Sequence, residues 1–458
     1  MLFNSLPFLI FFPVVTLVYY LLPYRWRWCW LLAASCFFYM WFKPIYILIL
    51  LTTILIDYSA ALMIERSRDY PRKSKAWLVA SIVSTLTVLF IFKYQGLFHE
   101  THIILPIGLS FHTFQSLSYV IEVYRGNQKP EKHLGIYSLY VMFYPQLVTG
   151  PIERPQNLLR QLRIDQPFRR DNLSQGIMLI LFGLFAKMVV ADNLAVYVDA
   201  IWADPQQYGS RAIALGLLFY SFQIYCDFFG YSTIALGCAK AMGYDLMDNF
   251  RAPYLSRSVG EFWHRWHISL SSWFRDYLYI PLGGSRVRVS RWMFNIMVVF
   301  LLSGLWHGSN WTFVVWGGLH GLVLLIEGLP KKLRLHKEQQ PTLNSQLSTL
   351  NYLKVPLVFL FVTLLWAVFR APSFYQLKLL LFAMKDNIGM GEMPTVDMRT
   401  IVFLLLFIIM DVLLRNTRFD RWCIRQVPVV RWAVCFVLAF CTVAFASVET
   451  FPFIYFQF

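Results

Sequence analysis

Three histidines and their small or polar neighbours are the residues of this chain best suited to chemistry. His307 stands in the run Ser303-Gly304-Leu305-Trp306-His307-Gly308-Ser309-Asn310-Trp311, between two apolar stretches each long enough to cross a bilayer. An ionisable side chain at membrane depth is costly unless it faces a bundle interior or a wet cavity, and this marks it as a functional residue by default. Imidazole titrates near neutrality, so it can take the proton of an acceptor hydroxyl as that hydroxyl attacks an activated acyl carbonyl. Asn310, three residues on, would point the same way along a continuing helix and donate a hydrogen bond to the developing oxyanion. Gly304 and Gly308 allow close backbone approach. The competing reading is a buried histidine whose ring only satisfies a neighbouring carbonyl.

His264 and His267 are spaced i, i+3 and would share a helical face. Such a pair can chelate zinc, but no third ligand stands at a familiar spacing, so no metal is expected. His264 suits an interfacial structural role. His267 has the hydroxyls of Ser269 and Ser271 nearby in a more apolar setting, which suits a role in guiding a donor substrate as well as it suits a structural one. On a continuous helix, His320 would fall on a different face from His307, as a packing or supporting group. Asp227 belongs to the polar cluster of 223–232, either as a cavity wall or as a satisfied structural carboxylate paired with an arginine of the interfacial segment.

The elements that must position these residues are membrane helices. The chain is 58% hydrophobic, 18% aromatic and only 14% charged, and apolar runs of crossing length recur from end to end, so an all-α polytopic integral membrane protein is expected. Spans are predicted at 6–22, 29–42, 45–64, 76–92, 104–122, 174–191, 211–229, 293–306, 311–328, 355–370, 400–414 and 431–448. Segments 134–150 and 230–246 read as entering the membrane and returning, which is tolerated only where protein or water covers the backbone. Between spans, the stretch 249–291 alternates arginines and histidines with Phe, Trp and Tyr, the pattern of an amphipathic segment at the bilayer interface. The polar stretch 336–351 reads as a loose loop, and the whole of 1–458 as one integral-membrane domain.

The net charge of +16 collects in short loops. Those carrying Arg25 and Arg27, Arg66 to Lys75, Lys331 to Lys337 and Arg415 to Arg425 belong in the cytoplasm by the positive-inside rule, which places both termini outside and gives no reason to expect nucleic acid. The first apolar run lacks a cleavage site and is expected to be retained as a helix. The seven cysteines lie mostly in apolar runs without CxxC spacing, as small hydrophobes. Phosphate loops, GxSxG and HExxH motifs are absent. By this topology His267 approaches the membrane from the cytoplasmic side and His307 from the outer half, a geometry for transfer between a cytosolic donor and an external acceptor.

The runs EFWHRWHISLSSWFRDYLYIPLGG (261–284), LLSGLWHGSNWTFVVWGGLHG (301–321), QIYCDFFGYSTIAL (223–236), PIGLSFHTFQSLSYVIEVYRG (106–126) and VTGPIERP (148–155) resemble the membrane-bound O-acyltransferase (MBOAT) family. The likeness is strongest to its bacterial branch of alginate O-acetyltransferase membrane subunits and peptidoglycan-acetylating relatives. It runs in order over about 106–328, and the terminal FIYFQF (453–458) fits too. The resemblance implies a ring of about 11–12 transmembrane helices, with re-entrant and interfacial helices, around a central tunnel. It further implies that His307 of the WHG motif is catalytic and that His267 is the second implicated histidine. Acetyl-CoA is the implied donor, with no metal. The implied setting is the bacterial inner membrane, in contact with lipid, with a polysaccharide acceptor and an extracytoplasmic SGNH-type acetyltransferase as partner. His112, His264, Phe229 and Thr233 depart from the family pattern and leave the acceptor open. D-alanyl or other acyl transfer to teichoic acid is the alternative, and a polysaccharide export channel a third, for which no internal repeat speaks.

Overall fold

A chain this apolar has no water to satisfy its main chain in the bilayer, so each crossing must close its hydrogen bonds within the segment, as a helix does. The computed structural model describes residues 1–94, 106, 108–334, 348–388, 391–447 and 451–456, and among these every regular element is helical. Eight described helices are long and apolar enough to cross a membrane: Pro44–Arg66, Pro71–Tyr94, Arg170–Ala203, Ser210–Ala241, Val289–His307, Trp311–Pro330, Leu353–Arg370 and Pro428–Phe445. The other four predicted spans correspond to Leu6–Leu21, Tyr24–Met40, Leu109–Arg125 and Met398–Leu413, which have 16 or 17 residues. They lie at the lower limit of crossing length. Most of the polar stretch 336–351 lies outside the described residues.

The expectation of a re-entrant segment at 230–246 is corrected. Ser210–Ala241 is one helix of 32 residues. Its glycines serve packing instead of interruption: a Cβ on Gly183 would lie 2.7 Å from the carbonyl oxygen of Gly230, and one on Gly176 would lie 2.6 Å from that of Gly237. Small residues let the two backbones meet. Segment 134–150 is divided into two short helices, Leu134–Met142 and Tyr144–Leu147, both largely buried. The Tyr140 carbonyl accepts from the side chains of Gln115 (2.5 Å) and Gln146 (2.8 Å), and Ser35 Oγ accepts the Tyr144 N–H at 3.1 Å. Protein groups thus satisfy backbone that the break sets free.

The described residues form two compact units. The first comprises 1–184, 230–248 and 419–439. It buries Asp57 against the hydroxyls of Ser81 (2.6 Å), Thr85 (2.9 Å) and Ser116. His112 is buried there too, its Nδ1 at 3.2 Å from the Gly108 carbonyl. The second unit comprises 185–229, 249–418 and 440–458, and it holds His264, His267, His307, Asn310, His320 and Asp227.

Within the second unit, Val289–His307 and Trp311–Arg334 pack as a helical hairpin. A Cβ at Gly304 would fall 2.2 Å from the Phe313 carbonyl oxygen, and one at Gly317 would fall 2.2 Å from that of Phe300. The hairpin therefore closes backbone to backbone, and this sets where His307 ends up. The interfacial stretch forms two short helices, Val259–Arg265 and Ile268–Phe274, followed by a wider π turn at Arg275–Tyr279. Glu327 fixes the first of these, its carboxylate accepting the N–H groups of Val259 (2.7 Å) and Gly260 (3.1 Å), while Ser258 Oγ accepts that of Glu261 at 2.9 Å. A carboxylate at a helix N-terminus satisfies orphan donors and complements the helix dipole.

Candidate active site

His307 is the last residue of its helix and is buried. Its Nδ1 lies 2.6 Å from the main-chain carbonyl oxygen of Ser303. A carbonyl only accepts, so in the neutral ring Nδ1 carries the hydrogen and Nε2 keeps the lone pair. The ring is enclosed by Trp306 (centroids 5.0 Å apart), Trp316 (4.9 Å), Phe369 (5.5 Å) and Tyr455 (5.9 Å). Aromatic walls hold the imidazole's orientation and limit water around a group able to accept a proton.

His267 reaches the same cluster from the interfacial segment. The expectation that it shares a face with His264 is corrected: the first short helix ends at Arg265, and His267 has φ 43° and ψ 55°. This left-handed conformation is uncommon for a residue with a Cβ. It turns His267 inward to complete burial while His264 stays exposed, its Nδ1 at 2.7 Å from the Gly260 carbonyl. Asn249 secures the turn, its main-chain oxygen accepting the Ile268 N–H (2.9 Å) and its Oδ1 that of Ser269 (3.3 Å). Strain of this kind persists where surrounding contacts over-determine it. The His267 ring packs on Phe228 (4.6 Å), Trp306 (5.9 Å) and Tyr455 (6.5 Å). Trp306 and Tyr455 therefore touch both histidines. Burial, reinforced by His307, holds His267 well below the ordinary imidazole range, so its ring is neutral.

The other predicted residues divide. The helix stops at His307, Gly308 is extended, and Asn310 lies exposed in the turn that follows. The i, i+3 relation behind the oxyanion expectation for Asn310 is therefore not formed. The same break removes the helical register between His307 and His320. His320 is buried one layer behind, with Trp316 between the two rings, 4.9 Å from His307 and 5.1 Å from His320. The Trp263 indole N–H donates to His320 Nδ1 at 3.3 Å. Among the described residues the ion-pair partner of Asp227 is a lysine, in place of the expected arginine. Asp227 meets Lys187 Nζ at 2.6 Å, and its Oδ2 accepts the Ile454 N–H at 2.7 Å.

Lys187 and Tyr455 escaped sequence reasoning. A lysine in the apolar run 174–191 with Asp192 five residues on was a readable signal, because intramembrane charges need partners. Tyr455 had only its place in the terminal FIYFQF to mark it. Beside the cluster, a cavity of about 400 Å³ opens between the interfacial stretch and the Val289–His307 helix, with Trp263, Leu270, Ser271, Arg275, Phe300 and Ser303 in its walls. Ser303, whose carbonyl orients His307, is thus also a wall of this cavity. Among the described residues no group of His, Cys, Asp or Glu could hold a metal ion.

Residues 133–338 match the model of the MBOAT, membrane-bound O-acyltransferase family. A probable alginate O-acetylase, AlgI, of Pseudomonas aeruginosa is 38% identical over 390 residues, covering 81% of this chain and 72% of the relative. The chain belongs to the membrane-bound O-acyltransferase family. It is a multi-pass membrane acyltransferase that uses an acyl donor. A peptidoglycan O-acetyltransferase of Helicobacter pylori is 32% identical over 401 residues, 79% of this chain and 74% of the relative. A teichoic acid D-alanyltransferase of Streptococcus thermophilus is also 32% identical, but over 254 residues, 51% of this chain and 60% of the relative. The motifs quoted above from 148 to 321 all fall within the family match, and two of them, 261–284 and 301–321, lie in the interfacial stretch and the helical hairpin.

Proposed function

We propose that this protein takes an acetyl group from a cytosolic thioester, acetyl-CoA, and passes it across the bacterial inner membrane for O-acetylation of an exported cell-envelope polysaccharide. The observation that carries this reading is the Ser303 carbonyl. It holds His307 Nδ1–H on one side, and the residue that supplies it borders a cavity facing the interfacial stretch. The cavity suits the acyl arm of a thioester, with largely apolar walls, the hydroxyls of Ser271 and Ser272 and, at its edge, Arg275 paired with Asp276. As the acceptor hydroxyl attacks the thioester carbonyl, His307 Nε2 takes its proton, the C–S bond breaks, and the proton returns to the leaving thiolate. General-base action of this kind contributes about 10²–10⁴-fold. His267, neutral and in the same aromatic enclosure, orients the donor.

Similarity to an alginate O-acetylase and a peptidoglycan O-acetyltransferase over about four-fifths of the chain supports a polysaccharide acceptor and acetyl as the group. A separate extracytoplasmic SGNH-type transferase completes delivery to the polymer. Transfer of D-alanyl is the second reading, favoured only by the shorter match to the teichoic acid enzyme. The test is donor choice in proteoliposomes. Radiolabelled acetyl-CoA is supplied on one side, with alginate or peptidoglycan fragments and the periplasmic transferase on the other. Labelled polymer is expected; label transfer only from a D-alanyl carrier thioester would overturn the reading.

A further inference from the structure

The carboxyl-terminal chain at 451–455 is tied into the second unit by a buried ionic group outside the histidine cluster. Lys187 lies in the π-helical stretch Phe185–Ala191, where the main chain widens by one residue per turn. Its Nζ meets Asp192 Oδ1 and Asp227 Oδ1, each at 2.6 Å, and all three side chains are nearly inaccessible. The same Nζ donates to the Phe451 carbonyl at 3.1 Å, and Asp227 Oδ2 accepts the Ile454 N–H at 2.7 Å. One ammonium and one carboxylate thus grip the main chain at two points three residues apart, and Asp192 holds the ammonium. Between and beyond these points, Phe453 and Ile454 are buried and Tyr455 packs on His307, His267 and Phe228.

A buried ionic group is weak support for stability, because neutral residues of similar volume often do as well. This one contacts the segment that walls in both histidines, so positioning is the better account of it. We propose that Lys187, Asp192 and Asp227 are positioning residues that pin 451–455 as a strap across the histidine pair and keep water from the acyl donor. Water is the competing acceptor: its oxygen attacks the thioester carbonyl, His307 Nε2 takes its proton, and the C–S bond breaks to give free acid and thiol. A loosened strap admits that reaction at the expense of transfer. This consequence rests on the thioester reading above, whereas the anchoring does not.

The test compares two triple variants of the full chain, each carrying Ile454→Cys, in detergent micelles. Lys187→Met/Asp192→Asn/Asp227→Leu leaves no unpaired buried charge and removes both grips. Lys187→Gln/Asp192→Asn/Asp227→Asn keeps a donor for Phe451 and an acceptor for Ile454. Alkylation of residue 454 by N-ethylmaleimide is followed by mass spectrometry of its peptide, and the ratio of donor hydrolysis to transfer is measured in parallel without the cysteine. The first variant is expected to alkylate at least about tenfold faster than the protein with the native triad, as local opening would allow, and to raise the hydrolysis ratio. The second is expected to alkylate near the native rate. Equal alkylation in a first variant that elutes and melts like the native protein would overturn the proposal. So would faster alkylation with an unchanged hydrolysis ratio. Should the native protein consume no thioester, the functional reading falls and the alkylation result alone judges the anchor.

Discussion

The Ser303 carbonyl and His307 Nδ1, 2.6 Å apart on successive turns of one helix, fix which nitrogen of the neutral imidazole carries the hydrogen and which keeps the lone pair. The main chain here does what a carboxylate does in many hydrolytic sites, holding the tautomer and orientation of the base without adding charge to an apolar enclosure. The enclosure then acts on the remaining nitrogen, Nε2.

The backbone closure of the hairpin sets the depth of His307. Gly317→Ala places a Cβ against the Phe300 carbonyl and near the Gly304 nitrogen, which neither side can yield by rotating a side chain. The expected outcome is a loss of about 1–3 kcal/mol of stability, the usual scale of overpacking. Transfer should fall in step as His307 moves. Gly318→Ala, whose nearest neighbour is the end of the Leu301 side chain, should be tolerated. Thermal unfolding and transfer assays on the two variants check this.

The left-handed turn at His267 separates backbone from ring. Asn accepts this conformation more readily than Ala, for which it costs about 1–2 kcal/mol. His267→Asn should therefore melt close to the native protein while losing transfer by about 10²-fold or more, and His267→Ala should lose both. Because the native ring is held neutral, its folded proton affinity lies below the unfolded value near 6.5, so it weakens stability as pH falls below about 6.5. Nitrogen-15 spectra of His267 should show a neutral ring at about pH 6.5, where a free imidazole is half protonated.

Glu153 gives a second pH dependence, of opposite sense. It is buried, with Asn157 Nδ2 at 2.8 Å and the Met247 N–H on its carboxylate, and burial pushes its proton affinity from 4.5 up to about 7. The raised folded value favours the protonated folded protein. Its contribution is complete below about pH 4.5 and is lost as pH rises through about 7, on the order of 3 kcal/mol. Glu153→Gln keeps one of the two acceptor oxygens and removes the ionisation. Its melting temperature should exceed that of the native protein at pH 8 and converge with it near pH 5.

What could be read in the sequence was what depends on composition and chain order. The apolar runs announced the helices, and an imidazole at membrane depth announced His307. The pair with His267 was legible from the motif but not from spacing, because an i, i+3 interval predicts a shared face only within an unbroken helix. Arg265 ends that helix, and the left-handed turn sends the two rings to opposite environments. The i, i+3 relation expected of Asn310 is not formed for the same reason, the helix ending at His307. Asp227 was flagged as a buried carboxylate, but its partner proved to be Lys187, forty residues earlier, because pairing across a bundle leaves no trace in local periodicity. Tyr455 was similarly hidden: nothing in the last residues announces a return to the histidines.

The central claim is that His307 Nε2 is the base of acyl transfer, and the most direct measurement is single-turnover transfer from labelled acetyl-CoA by reconstituted native protein and by His307→Ala. The variant should insert and melt like the native protein and lose transfer by about 10²–10⁴-fold. Transfer at the native rate by a folded His307→Ala protein would contradict it.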